Sequence, residues 1–335
     1  MAINKNNILI VGDWETAQNL AYELRNVNSG TRLAGYVESE IHSSNSRHDS
    51  RYLGHVSQLE EIIKEQSVNE LLVAHNKKDY NSLFRIISEC KAKKLPVKVK
   101  SPLFSIVEEK LFPHKIGGIP VVNLAFKETF YTRYGKRILD IAGAAAGLLL
   151  FSPLFIALAV IIKATSKGPV FFKQQRIGKD GKVFDFYKFR SMYQVEGEDR
   201  ERAKVMKEFM NKETIESGDA KIVNTARITK VGKLIRKTSL DELPQFYNVL
   251  KGDMSLVGPR PEVPYVYEMY KNWQKERIKG IPGCTGVWQV TARSKVTFNE
   301  MVMLDVYYLN NISFKLDMTM ILKTIPVMFF SKGGG

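Results

Sequence analysis

The chain has 335 residues, enough for two domains that each bury a core. Lys and Arg total 50 against 35 for Asp and Glu, a net charge of +15, which points to an anionic partner: nucleic acid, anionic lipid headgroups or a phosphorylated substrate. Two cysteines, Cys90 and Cys284, exclude a disulfide framework and a cysteine-based zinc site. They suit a reducing compartment.

Residues 1–125 alternate short apolar runs with helical patterns. Ile8 to Val11 reads as a strand ending at Gly12, too short for a signal peptide. A helical pattern follows through Leu20 and Leu24. Leu33 to Val37, Glu70 to Ala74 and Val97 to Val99 read as further strands, with helices over Gln58 to Lys64 and Leu83 to Lys94. Strands alternating with helices predict a parallel sheet and a Rossmann-like domain. A dinucleotide fingerprint needs further glycines after Gly12. Asp13-Trp14-Glu15-Thr16-Ala17 stands there instead, so the dinucleotide site is expected to be absent or altered.

After a linker over 126–137, Ile138 to Ile162 carries one charge, Asp140. The length suits a membrane helix, but Ser152-Pro153 near its middle interrupts the hydrogen-bond ladder. Lys136 and Arg137 precede the segment and Lys163 and Lys167 follow it, which favours both ends on the cytoplasmic side. A helix that enters, bends at Ser152-Pro153 and returns satisfies both facts. Each arm would reach roughly 18 Å, too short for a ~30 Å hydrocarbon core. A kinked spanning helix and a buried core helix are the competing readings.

Val170 to Ile177 and Val183 to Met192 flank Asp180-Gly181 and read as a hairpin. Phe184, Phe186, Lys188 and Arg190 share one face by period two, an arrangement suited to an anion site. Glu196 to Lys212 is a densely charged helix. In Lys237 to Gln245, two adjacent carboxylates stand at an expected helix start, with Arg236 before them and Gly258-Pro259-Arg260-Pro261 after. With Asp241 as N-cap, Pro244 takes the third helical position; alternatively Ser239 and Glu242 form a capping box. Phe298 to Leu309 has helical spacing. Phe314 to Phe330 is apolar but carries Lys315, Asp317 and Lys323, as a helix in a membrane interface or in a core would.

From about Tyr134 to Phe330 the chain resembles the bacterial sugar transferases, the monotopic polyprenyl-phosphate phosphoglycosyl transferases. The matching pieces run in order: Lys136-Arg137 with Asp140, Ser152-Pro153, Gly168-Pro169-Val170-Phe171-Phe172, Gln175-Arg176-Ile177-Gly178 and Phe186 to Met192. Then come Arg236 to Gln245, Gly252 to Pro261, Pro282-Gly283-Cys284-Thr285-Gly286 and Asp305-Val306-Tyr307-Tyr308. One departure is Thr291-Ala292 within Gln289 to Arg293, where the family usually has a polar residue and glycine.

The resemblance implies an α/β chain: a Rossmann-like accessory domain over 1–125, a re-entrant membrane helix over 138–162 and a mainly α catalytic domain with a small hairpin over 163–330. It implies transfer of a sugar 1-phosphate from a UDP-sugar to undecaprenyl phosphate, with release of UMP, as the first step of surface polysaccharide or glycoconjugate assembly. Asp241 would be the nucleophile and form a phosphoryl-aspartate. Glu242, with Asp241, would hold Mg²⁺. Arg236, Arg260 and Lys188 would bind phosphates. The implied partners are UDP-sugar, undecaprenyl phosphate, membrane lipids and a possible second copy, with no nucleic acid, at the cytoplasmic face of a bacterial inner membrane. The residues fit such chemistry: a nucleophilic Asp facing a diphosphate needs cations and a metal around it, and arginine's planar fork suits phosphate. Two other readings remain: an NAD-dependent nucleotide-sugar dehydratase built on the first domain, and a non-catalytic membrane scaffold.

Overall fold

The computed structural model describes residues 7–25, 32–39, 50–74, 80–92, 95–100, 115–116, 119–123, 128–193, 198–212, 227–292 and 296–330. Lys94, Glu196, Arg293 and the closing Gly333 to Gly335 fall outside them. The chain divides into two units, Met1–Lys127 and Glu128–Gly335.

The first unit begins with β1 (Asn7–Gly12), α1 (Trp14–Arg25), β2 (Arg32–Glu38), β3 (Tyr52–His55) and α2 (Leu59–Glu65). It continues with β4 (Glu70–Ala74), α3 (Tyr80–Ala92), β5 (Val97–Lys100), β6 (Lys115–Ile116), β7 (Ile119–Pro120) and β8 (Val122–Asn123). The main sheet has the order β3-β2-β1-β4-β5-β8, parallel except for β8 at one edge. This is the doubly wound order expected of a Rossmann-like domain. Central β1 is bonded on both edges and Ile8 to Val11 are all at most 1% exposed, which is why its apolar run is continuous and not alternating. Ala17, Leu20, Ala21 and Leu24 of α1 close over Ile8, Ile10 and Leu72.

At the mouth of β1 the missing glycines have a structural counterpart. Asp13 caps α1: its Oδ1 accepts from Thr16 N–H at 3.0 Å and from Thr16 Oγ at 2.7 Å. A carboxylate therefore occupies the helix start where a pyrophosphate would bind.

The second unit opens with a π-helical turn over Tyr131–Gly135, then α4 (Lys136–Leu150) and α5 (Ser152–Thr165). These helices meet at a bend of 60°. Pro153 falls in the first turn of α5, where no intrahelical N–H is needed, and Ser152 Oγ donates to Leu149 O at 2.8 Å. Among the described residues no single helix is long and apolar enough to cross a membrane; the bent pair meets that length and composition only when taken together. Ile138, Leu149, Leu150, Ile156 and Val160 are exposed along the pair. The opposite side of α4 is fixed to protein. Gly143 and Gly147 pack against Leu256 and Phe246, so closely that an added Cβ would lie 2.6 and 2.8 Å from their side chains.

β9 (Phe171–Ile177) and β10 (Val183–Phe189) form the expected hairpin. Both strands are shorter than the sequence pattern indicates, and Met192 makes only an isolated bridge to Ile228. Asp180 and Gly181 adopt left-handed backbone with φ of 56° and 84°. There follow α6 (Glu198–Asn211), α7 (Lys230–Lys237), α8 (Gln245–Lys251), β11 (Ser255–Val257) and α9 (Pro264–Tyr267). The unit ends with β12 (Gly283–Thr285), α10 (Val287–Thr291), α11 (Phe298–Asn310) and α12 (Phe314–Phe330). α12 has two faces: Leu316, Asp317 and Met320 are buried, while Phe314, Leu322 and Ile325 are exposed.

Candidate active site

The carboxylate pair lies on a turn, and neither capping pattern expected from the sequence forms. α7 ends at Lys237, and the Thr238 hydroxyl donates back to the carbonyls of Leu234 and Ile235. Ser239 then takes left-handed backbone, φ 55°, and makes no side-chain cap. Leu240 to Glu242 form one 3₁₀ turn, and α8 starts only at Gln245 with Pro244 at its N-cap. The physical reason is packing. Leu240 and Leu243 both enter a core with Leu158, Ile162, Phe189 and Ile235, so the chain must turn tightly between them. A serine held at positive φ costs about 1–3 kcal/mol and persists only where its surroundings enforce it.

That turn sends the two carboxylates into different surroundings. Asp241 is 5% exposed. Glu242 is partly open, and its Oε1 accepts from Lys188 Nζ at 2.6 Å and Arg260 Nη2 at 3.0 Å. Burial pushes the Asp241 carboxyl above the usual carboxylate range; Lys188 opposes this, Glu242 adds to it, and Arg236 and Arg260 oppose it. Burial would raise Glu242 as well, but Lys188 and Arg260 outweigh it and hold that carboxyl well below the usual range. The Arg260 guanidinium is stabilised in turn, chiefly by Glu242. Adjacent carboxyls are thus driven apart in acidity, as acid–base and nucleophilic sites commonly require.

The structure brings Asp241, Glu242, Lys188 and Arg260 together. Arg236, at the end of α7, is near enough to influence Asp241 electrostatically. Among the described residues it pairs with no carboxylate; its Nη1 reaches Met192 Sδ at 3.6 Å. The expected face of β10 divides. Lys188 lies over the Phe186 ring at 5.4 Å and enters the site. Arg190 does not: it is 5% exposed and donates to Ser166 O and Oγ at 2.8 and 2.9 Å, closing the end of α5. Ser152 and Pro153 stand at the bend between α4 and α5. Thr291, the departure noted in the sequence, spends its hydroxyl on Val287 O within α10.

Arg260 is presented by a loop held from several sides. Gly258 N–H donates to Thr285 O and Gly283 N–H to Pro259 O, each at 2.8 Å. A Cβ on Gly258 would lie 2.5 Å from Ile281 O, so the approach of these two segments requires glycine. Behind the loop, Arg277 Nη2 donates to Arg260 O at 3.3 Å and faces Asp305 at 2.6 Å; Arg176 Nη1 donates to Pro261 O at 3.1 Å. No role was expected for Arg176 or Arg277, and their neighbours Gln175 and Ile177, Glu276 and Ile278 give no local signal of one.

The donor set suits a hard cation in part. Asp241 and Glu242 supply carboxylate oxygens, and no cluster of three or more His, Cys, Asp or Glu side chains that could hold a metal forms among the described residues. Mg²⁺ commonly binds through one or two carboxylates and completes its shell with water and substrate phosphates, so this pair fits it.

The sequence model described as Bacterial sugar transferase matches residues 131–331. The chain belongs to the bacterial sugar transferase family. The galactosyl transferase CpsE of Streptococcus agalactiae serotype III is 42% identical over 239 residues, 71% of this chain and 51% of that protein. The exopolysaccharide production protein ExoY of Rhizobium meliloti is 39% identical over 202 residues, 59% of this chain and 87% of that protein. The undecaprenyl-phosphate galactose phosphotransferase of Salmonella typhimurium is 38% identical over 236 residues, 69% of this chain and 48% of that protein. The chain thus spans about half the length of two of these three family members. The carboxylate pair, the three cations and the loop of Arg260 all lie within the matched stretch.

Proposed function

We propose that the chain transfers a sugar 1-phosphate from a UDP-sugar to undecaprenyl phosphate and so initiates a surface polysaccharide or glycoconjugate. Relatives named for this type of reaction support the reading: the Salmonella typhimurium protein, a UDP-glucose:undecaprenyl-phosphate glucose-1-phosphate transferase of Klebsiella pneumoniae, and an N-acetylgalactosamine phosphotransferase of Aeromonas hydrophila. The observation that carries it is the unequal carboxylate pair: a buried Asp241 of raised basicity beside a Glu242 kept ionised by Lys188 and Arg260.

On this reading an Asp241 oxygen attacks the phosphorus bonded to the sugar. The bond from that phosphorus to the UMP oxygen breaks, and UMP leaves with the bonding pair. A phosphate oxygen of undecaprenyl phosphate then attacks the same phosphorus, and the Asp241 carboxylate departs unchanged. Arg236 and Arg260 hold the phosphates, and Lys188 keeps Glu242 in place and charged. Mg²⁺ held by Glu242 with Asp241 would neutralise phosphate charge as the substrate approaches. The bent α4–α5 pair, with its exposed apolar side chains, would seat the site at the cytoplasmic face of the membrane, where a soluble nucleotide and a lipid phosphate can meet.

The test is UMP release from UDP-glucose, UDP-galactose and UDP-N-acetylgalactosamine by the detergent-solubilised chain, with and without undecaprenyl phosphate. Without the lipid, a burst of up to one equivalent of UMP is expected with the active sugar, together with a sugar-phosphate adduct on Asp241 in the mass spectrum. Asp241→Asn removes both. UMP appearing only when both substrates are present, with no adduct, would refute the covalent route.

A further inference from the structure

We infer that Asn248 is a positioning residue for this reaction, fixing where Lys188 stands against Glu242. The inference rests on the site roles proposed above. Asn248 is 0% exposed in the middle of α8, six residues after Glu242. Its Oδ1 accepts from Tyr187 N–H at 3.1 Å, and its Nδ2 donates to Asp185 O at 2.6 Å. Among the described residues the hairpin is a two-stranded sheet, with no strand along that edge of β10. One side-chain amide therefore supplies both partners that a neighbouring peptide group would. The residue it grips, Tyr187, immediately precedes Lys188.

The other end of the link is equally fixed. The Asn248 carbonyl accepts from the N–H groups of Gly252, Asp253 and Met254, which close the end of α8. Arg137 of α4 donates to the next two carbonyls, Val249 and Leu250, at 2.7 and 2.8 Å. Asn248 thus joins the helix that follows the carboxylate turn to the strand that carries its counter-charge. An asparagine inside a helix is otherwise a poor choice, since its amide competes for backbone groups. Here that competition is directed across to β10. Lysine has a long flexible stem, so the 2.6 Å contact of Lys188 with Glu242 depends on where its backbone is held.

A double-mutant cycle separates this role from simple edge-filling. Wild type, Asn248→Ser, Lys188→Met and the double variant are assayed for UMP release with the most active of the three UDP-sugars, alongside thermal melting. Asn248→Ser should lower kcat/KM by about tenfold to a hundredfold, the range a misplaced catalytic group can cost. The double variant should be within about twofold of Lys188→Met alone, since Asn248 acts through Lys188. Multiplied losses in the double variant would overturn the inference while leaving the site assignment intact. Wild-type UMP release by Lys188→Met would overturn both. If Asn248→Ser fails to fold, Asn248→Asp takes its place in the cycle. It keeps the acceptor for Tyr187, loses the donor to Asp185, and carries the same expectations.

Discussion

Asp317 of α12 offers the sharpest test of how the second unit holds its site. It is 0% exposed, yet it receives three donors: Tyr131 Oη at 2.6 Å, Lys136 Nζ at 2.8 Å and Tyr308 Oη at 2.6 Å. Lys136 is only 11% exposed in its side chain, and both Lys136 and Tyr308 also donate to Val257 O, two residues before the loop that begins Pro259-Arg260. Asp317→Leu leaves a buried ammonium without its counter-charge, which typically costs about 3–5 kcal/mol. At about 2–4 °C per kcal/mol for a unit of this size, the calorimetric transition of the second unit should fall by roughly 6–20 °C. The double variant Asp317→Leu with Lys136→Met removes both charges and should recover part of the loss, since apolar replacement of a buried pair is often neutral. It should stay about 1–3 kcal/mol below wild type because the Tyr131 and Tyr308 hydroxyls lose the carboxylate that accepts from them. Lys64–Glu60, with both partners largely exposed, is the control and should contribute about 0.3–0.5 kcal/mol. A single Asp317→Leu variant melting within about 2 °C of wild type, or a double variant no better than the single, would refute this account.

Two further outcomes follow from the structure. Burial raises the Asp305 carboxyl from 3.8 to about 6, even though Arg277 and Trp288 favour its ionised form and only Glu262 adds to the rise. Between about pH 4 and pH 6 the folded state therefore keeps a proton that the unfolded chain has released, so stability falls as pH rises through this window, by about 3 kcal/mol in full above it. Chemical denaturation at several pH values should show that Asp305→Asn is flatter than wild type across this window; parallel profiles would contradict it. In the first unit, Asp13 fills the start of α1, so calorimetry of the full chain with NAD or NADP should detect no micromolar binding. Micromolar affinity would revive the dehydratase reading.

Much of the frame was legible because it depends on local chemistry. Ile8 to Val11 could only be a doubly buried strand, Asp180-Gly181 could supply the left-handed turn of a hairpin, and Pro153 could not continue an unbroken helix. The carboxylate turn was misread because the residue that makes it is Ser239. Serine signals a cap, and nothing local announces a left-handed backbone imposed by two leucines packing into a distant core. Asp317 was hidden for a different reason. Its partner Tyr131 is 186 positions away, so a charge in an apolar helix left a membrane interface and a core both open as readings; in the structure it is the buried acceptor of three donors. Long-range pairing leaves no periodicity to detect.

The carboxylate turn also explains why the two acids need to be neighbours and yet behave differently. Successive residues of a 3₁₀ turn project about 120° apart. Asp241 therefore points into protein while Glu242 meets Lys188 and Arg260. Without Glu242, two cations would stand close to Asp241, draw its basicity down and repel each other. With Glu242 they are held in place, and Asp241 keeps the raised basicity that burial gives it. Arg236 pairs with no carboxylate among the described residues, and on the proposed function it would contact a substrate phosphate. Arg260 engages Glu242 through Nη2, and a guanidinium has further N–H donors, so on the proposed function it could bind a phosphate while keeping the carboxylate. Lysine at position 260 would keep the charge and could still donate to more than one oxygen, but it lacks the planar fork that pairs two N–H groups with one carboxylate or phosphate, so Lys for Arg there is not a conservative change.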